Sequence, residues 1–237
     1  MASTVDITWY GHGTWGHTTA NGTHVLVDPW LTGPTVPESL RDPARVDLVL
    51  LTHGHADHIT DVAAVHRKHG CPVLAKYELA MHFGGKGVNV VGFNTGGSVE
   101  QEGIRFTMTH AIHSGSIVEG DAVVGYGGEP AGFVITFAGG FRVYQAGDTC
   151  VFSDMALIGE IYRPDVAILP IGDLYTMGPF EAAHAVRLLG VKHVIGGHWG
   201  TFDALTGTPE LLRDEIGKLG LEGVTVHPLR PGDSESF

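Results

Sequence analysis

The chain has 237 residues, with 26 Asp plus Glu against 14 Lys plus Arg, and so a formal net charge of −12. That balance disfavours nucleic acid as a partner, because binding a phosphate backbone relies on clustered Lys and Arg. A hydrophobic share of 43% can bury a core and excludes disorder as the main state, and Cys71 and Cys150 alone cannot build a disulfide framework or a thiolate zinc knuckle.

In chain order, β-type runs are predicted at 5–10, 24–27, 46–51, 104–109, 133–137, 141–145, 166–169 and 192–195, most of them β-branched or aromatic and bounded by Gly, Pro, Asn or Asp. Helices are predicted at 60–69, with Thr60 as N-cap and Gly70 as stop, at 180–189 ending at Gly190, and at 209–219 starting Thr-Pro and ending at Gly220. The stretch 114–132 is the most irregular; it is rich in Gly, carries Glu119, Asp121 and Glu129, and reads as a loop that could close over a site. No composition shift marks a boundary. The expectation is one α/β domain over 1–237, two sheets with helices packed outside. The opening MASTVDITWY has no basic start leading into an apolar core, and no apolar run approaches the roughly 20 residues of a membrane span. A cytoplasmic protein without membrane association is therefore expected, and a homo-oligomer is left open.

The chain has 15 His, more than Lys and Arg together, and 35 Gly, about twice the usual share of roughly 7%. Histidine is the commonest metal ligand, so position decides what this excess means. The strongest local signal is the run Thr52, His53, Gly54, His55, Ala56, Asp57, His58, which follows an apolar strand and precedes a helix. Four imidazole or carboxylate groups on one turn can converge on a point, which is metal-site chemistry. One loop cannot fill two coordination spheres, and further candidates follow other strands: His110 and His113, Asp148, Asp173, and His198.

The order of His53, His55, Asp57, His58, His113, Asp148 and His198 resembles the metallo-β-lactamase superfamily. The Asp-Pro-Trp-Leu-Thr-Gly run at 28–33, Ala-Gly-Asp-Thr at 146–149, and the segments 152–160 and 170–179 look like a largely uncharacterised branch of metal-dependent hydrolases related to ascorbate-6-phosphate lactonase. The resemblance implies a four-layer α/β/β/α sandwich with two divalent ions, Zn first and Mn or Fe as alternatives. It places His53, His55 and His113 on one ion and Asp57, His58 and His198 on the other, with Asp148 bridging. Asp57 and His58 count as catalytic as well. Asp148 stands where many zinc β-lactamases carry a cysteine, and His55 where flavo-diiron proteins carry Glu, so antibiotic hydrolysis and iron redox chemistry are disfavoured. The sequence Gly-His-Gly-Thr at 11–14 departs from the Gly-His-Ser or Gly-His-Ala of relatives, and His12 is read as a candidate for outer support or for substrate rather than as a ligand.

A water between two such ions loses a proton near neutral pH and becomes a hydroxide nucleophile, while ligand histidines donate their free ring N–H to outer carboxylates or carbonyls. Asp28 and Asp173 are candidates for that support. Tyr175 and Thr176 are candidates to face substrate, Trp199 is expected to pack, His184 is set aside on a helix, and Cys150 is read as a small buried residue. The expected function is cleavage of an ester, lactone or phosphodiester bond of a small molecule. The alternatives are a metal-dependent nuclease, which in this fold usually adds an RNA-clamping part, and a non-catalytic metal-binding protein.

Overall fold

The computed structural model describes residues 5–237; the first four residues of the opening stretch, read above for a targeting signal, lie outside the described residues. The first half of the chain comprises β1 (Val5–Gly11), β2 (Thr14–Thr19), β3 (His24–Val27), β4 (Leu48–Leu50), α1 (Ala56–Ile59), α2 (Val62–His69), β5 (Val73–Lys76), α3 (Tyr77–Gly85) and β6 (Val90–Phe93). The second half comprises β7 (Ser98–Gln101), β8 (Ile104–His110), β9 (Ser116–Glu119), β10 (Ala122–Tyr126), β11 (Ala131–Thr136), β12 (Arg142–Gln145), α4 (Met155–Tyr162), β13 (Val166–Pro170), α5 (Pro179–Leu189), β14 (His193–Gly197), α6 (Pro209–Lys218) and β15 (Thr225–His227). The last strand, β16 (Ser234–Ser236), returns to pair with β1.

One sheet runs β16-β1-β2-β3-β4-β5-β6 and the other β15-β14-β13-β12-β11-β8-β7. Alternation along the strands explains why they stack. In β3 and β4, Val25, Val27, Leu48 and Leu50 enter the core between the sheets, while Leu26 and Val49 pack outward against the layer of α2 and α3. In the second sheet Phe133, Ile135 and Ile168 face inward, and Val134, Ala167 and Leu169 face the layer of α4, α5 and α6. A period of two with both faces apolar produces a sheet covered on both sides, and hence four layers. Within each sheet the second part is parallel, β3 to β6 and β12 to β15. The carboxyl ends of parallel strands share one edge, where loops collect.

Helix boundaries mostly follow the cap chemistry: Gly70 and Gly190 end α2 and α5 with φ of 67° and 65°, and Thr208 Oγ1 accepts from the Leu211 N–H at the start of α6. The helix expected at 60–69 is instead two pieces. Thr60 ends α1, donating its hydroxyl to the Ala56 carbonyl at 2.6 Å, and is not an N-cap. Asp61 heads α2, but its carboxylate is taken by the N–H and hydroxyl of Thr32, so it does not cap that helix. The stretch 114–132 is not a structureless loop either. It holds the β9–β10 hairpin, whose Val118 N–H donates to the Gly54 carbonyl and whose Ile117 is buried. Glu119 pairs with His82 and Lys86, and Glu129 accepts from the Tyr126 hydroxyl, so two of its three acids serve as local partners.

Candidate metal centre

Six chain segments meet at the shared strand edge. The β1–β2 turn supplies His12, the turn after β3 supplies Asp28, the turn after β4 with α1 supplies His53, His55, Asp57 and His58, and the ends of β8, β12 and β14 supply His113, Asp148 and His198. Strand order makes this possible: β3 and β4 are neighbours in one sheet, and β12, β13 and β14 are consecutive in the other. Gly147 turns the chain just before Asp148, with φ of 64° and the Ala131 carbonyl 2.8 Å from where a Cβ would stand, so a side chain there would clash.

Asp148 is the centre of the arrangement. Its Oδ2 lies 3.0 Å from His198 Nε2, 3.4 Å from His58 Nε2, 3.8 Å from His113 Nε2 and 4.0 Å from His53 Nε2. On one side of it, ligand atoms of His53, His55 and His113 lie within 4.8 Å of one another; on the other side, those of His12, Asp57, His58 and His198 do. The structure thus gathers six of the sequence-derived candidates into two clusters, with the seventh, Asp148, within 4.0 Å of histidines from both.

An outer layer of bonds orients them. Asp28 Oδ2 is 2.9 Å from His58 Nδ1, which donates to it, and Asp28 also accepts from the Thr52 N–H and hydroxyl. Because the Thr52 hydroxyl gives its proton to Asp28, its oxygen is left to accept from His53 Nδ1 at 2.9 Å. One buried carboxylate therefore sets the ring orientation of a histidine in each cluster, directly for His58 and through Thr52 for His53. His12 plays the corresponding part for Asp57. Its Nε2 donates to Asp57 Oδ2 at 2.8 Å, and Nδ1, left as acceptor, takes the Thr201 hydroxyl at 2.9 Å. His55 Nε2 lies 3.1 Å from the Ser114 hydroxyl.

Electrostatics sort the imidazoles. Burial, with neighbouring histidines adding to it, holds His53, His55 and His113 below the usual histidine value and hence neutral. Burial also presses His58 down, but the Asp148 and Asp57 carboxylates outweigh it and raise its pKa well above 6.5. For Asp148, burial favours the neutral acid, yet His198 and His58 prevail and hold the carboxyl well below 3.8. His12 falls to about 4, mainly through burial.

The chemistry of this donor set suits a divalent metal. His53 Nε2, His58 Nε2 and His198 Nε2 are buried with no hydrogen-bond partner among the described residues, while Nδ1 of His53 and His58 is engaged from behind. A buried polar atom without a partner is costly, and a ring fixed from one nitrogen with the other turned inward is the arrangement of a ligating histidine. Strain points to the same place. Of the seven non-glycine residues with positive φ among the described residues, three lie on these loops, His12, Asp28 and His198, and two, Asp173 and Leu174, on the neighbouring β13–α5 turn. Backbone held in this region costs about 1–3 kcal/mol per residue and persists where surrounding contacts over-determine it. Here the His12 carbonyl accepts from both the His198 N–H and the Trp9 indole.

The other sequence candidates fare unevenly. Asp173 does not support a histidine; it is exposed and accepts from the Leu174 N–H, capping its own turn. Tyr175 is exposed on that turn. Thr176 lies on the same turn, its hydroxyl 3.4 Å from the Met177 carbonyl. Trp199 packs against Trp9, with its indole donating to the Gly196 carbonyl. His184 stays on α5 beside Arg187 and Phe180. Cys150 is exposed rather than buried, because the turn after Asp148 carries it to the surface, where its N–H bonds the Ile112 carbonyl. Sequence reasoning passed over Thr52, Thr201, Trp30 and Phe202. Thr52 was visible as the residue before His53, but nothing local marks it as a relay to Asp28.

The chain matches a family described as a beta-lactamase superfamily domain over residues 23–199. It is 48% identical to a UPF0173 metal-dependent hydrolase of Rubrobacter xylanophilus, over 96% of this chain and 94% of that protein. Among solved structures, a metallo hydrolase from the hyperthermophilic archaeon Ignicoccus hospitalis superposes with a TM-score of 0.88 at 33% identity, covering 99% of this chain and 98% of that one. A metallo-beta-lactamase fold protein from Bacillus subtilis, at 17% identity and a TM-score of 0.75 over 99% of this chain and 100% of its own, shares the fold.

Proposed function

This chain belongs to the UPF0173 metal-dependent hydrolases of the beta-lactamase superfamily, and from that premise we propose that it hydrolyses an ester, lactone or phosphodiester bond of a small molecule at a centre of two divalent ions. His53, His55 and His113 would hold one ion, Asp57, His58 and His198 the other, and Asp148 both. The observation that carries this reading is the position of Asp148 Oδ2 within 4.0 Å of Nε2 atoms from four histidines, drawn from both clusters. Nitrogen and carboxylate donors without thiolate suit Zn, Mn or Fe.

Paired ions of this kind supply an activated water and a clamp on the attacked and leaving oxygens. The residues of the chain do the rest. Asp28 and Thr52 keep the Nε2 lone pairs of His58 and His53 turned inward. His12 fixes Asp57 Oδ2, and Asp57, about one third exposed, is the one carboxylate of the cluster that also faces solvent. It is placed to take up or hand on a proton at the mouth. Asp148, nearly fully buried, has no such access.

Elemental analysis of gently purified protein, followed by assays of lactones, simple esters and phosphodiesters with the metal found, tests the proposal. Close to two ions per chain and turnover that stops on chelation and returns on reloading are expected. Native protein without metal that hydrolyses at the full rate would overturn it, as would a metal-loaded protein inert to all three classes.

A further inference from the structure

The segments that build the centre, with the β13–α5 turn beside them, are unusual in what they lack. Residues 9–40, 46–66, 106–141, 143–162, 164–186 and 193–212 contain no Lys or Arg. Nearby cations are engaged elsewhere. Lys76, at the end of β5, is buried and donates to Thr95 Oγ1; Arg41 donates to the Val36 carbonyl; Lys86 pairs with Glu119. A substrate carrying a carboxylate or phosphate away from its reacting group would find the Asp57 carboxylate at this mouth and no cationic side chain from the site segments.

What the mouth does offer is apolar surface on two sides. Phe202, 45% exposed, sets its ring 5.8 Å from His12 and 6.3 Å from Trp30, and Trp30 in turn lies edge-on to His12 at 5.3 Å. On the other flank Thr149, next to Asp148 in the chain, ties together the turns that carry the exposed Ile112 and the exposed Leu174 and Tyr175. Its hydroxyl accepts from the Ile112 N–H and its carbonyl from the Met177 N–H. Leu174 is held outward in spite of a φ of 53°. Contiguous apolar surface beside a polar cavity is a mark of a ligand groove.

We infer that the substrate is an uncharged ester or lactone whose apolar body lies on the shelf of Trp30 and Phe202. This rests on the hydrolase reading and narrows it, setting phosphodiesters and phosphorylated lactones aside. The metals can meet one developing negative charge at the reacting carbonyl. A second, remote anion would have to be desolvated beside Asp57 without a partner, which is costly.

The test uses the metal-loaded protein with two matched pairs of probes. 4-Nitrophenyl octanoate and mono-4-nitrophenyl suberate share leaving group and acyl length and differ in a terminal carboxylate too remote to form a cyclic anhydride with the ester; kcat/KM should be at least about tenfold higher for the octanoate. Equal or better turnover of the suberate would overturn the inference while leaving the hydrolase reading intact. N-phenyl-1-naphthylamine and its 8-sulfonate differ only in charge and report binding by fluorescence. The neutral dye should bind more tightly, Phe202→Ala should weaken it, and Phe202→Leu should restore it. In hydrolysis, Phe202→Ala should raise KM by more than it changes kcat. Tighter binding of the sulfonate, or no response to Phe202→Ala in either assay, sinks the inference. If neither ester is cleaved but the neutral dye still depends on Phe202, the hydrolase reading fails and the apolar shelf stands. A Phe202-dependent dimer seen by sedimentation would assign the shelf to a second copy and overturn the substrate role.

Discussion

Asp28 and His58 are 30 residues apart in the chain, yet Asp28 Oδ2 sits 2.9 Å from His58 Nδ1, and both side chains are about 1% exposed. The same carboxylate accepts two bonds from Thr52, and so reaches His53 as well. Asn tolerates the left-handed backbone that Asp28 adopts at φ of 47°, so Asp28→Asn separates charge from conformation. Competition with a chelator should show metal affinity lowered by about 10–100-fold in Asp28→Asn, and further in Asp28→Ala. Unchanged affinity in both would remove the support role.

Asp148→Ala, His113→Ala and His198→Ala each delete a group from the centre. Asp148→Ala should lose one or both ions by elemental analysis, and each of the other two should lower hydrolysis by at least about 100-fold with the circular dichroism spectrum kept. His184→Ala should do neither, since that ring sits on α5 beside Arg187 and Phe180. Inactivation by His184→Ala equal to the others would show the residue assignment to be wrong.

Protonation couples to loading. In the metal-free protein His58 is charged at pH 7, its pKa raised above 6.5, whereas His53, His55 and His113 are already neutral. Titration of Zn in two buffers of different ionisation enthalpy should therefore report a proton from His58 in addition to that from metal-bound water, and His58→Gln should lower the release by about one proton per chain. The stability of the metal-free protein follows from the signs. A raised His58 value contributes stability fully below pH 6.5, lost as pH rises through its folded pKa. A depressed Asp148 value contributes stability above pH 3.8, lost as pH falls through its folded pKa. The depressed values of His53, His55, His113 and His12 likewise contribute stability above pH 6.5 that is lost as pH falls, so thermal unfolding of chelated protein should show Tm dropping in acid, highest near and just above pH 6.5, and falling again as His58 loses its proton. A Tm that climbs steadily into the alkaline range would contradict the His58–carboxylate pairing.

The β9–β10 hairpin braces the metal loop rather than swinging above it. Ile117 is 2% exposed, and its strand lies so close to Gly54 that a Cβ there would stand 2.9 Å from the Ser116 carbonyl. Ile117→Ala should cost about 2–4 kcal/mol by urea unfolding and weaken the ion held by His53 and His55. Removing the tip residues 120 and 121 should leave metal content at the parent level. Full stability in Ile117→Ala would mean that the hairpin is loosely held after all.

The run from His53 to His58 was recognisable from sequence because its information is local: an apolar strand, a tight turn and one helical turn place four donors together whatever the rest of the chain does. The apolar strands and the helices with Gly or Pro at their ends were readable for the same reason. Equally short strands differed: β3 and β12 were readable while β5, β6, β7 and β9 were not, because strand preference depends on the neighbours in the sheet more than on the run itself. Thr60 and Asp61 misled because their side chains found other partners, the Ala56 carbonyl and Thr32. The links from Asp28 to His58, from His12 to Asp57 and from Thr201 to His12 join segments 30, 45 and 189 residues apart. Sequence therefore determined which donors exist and that several share a turn. Only the tertiary structure decided which nitrogen of each ring turns inward, because that depends on which strand ends lie side by side, and hydrogen bonds act only over about 3 Å.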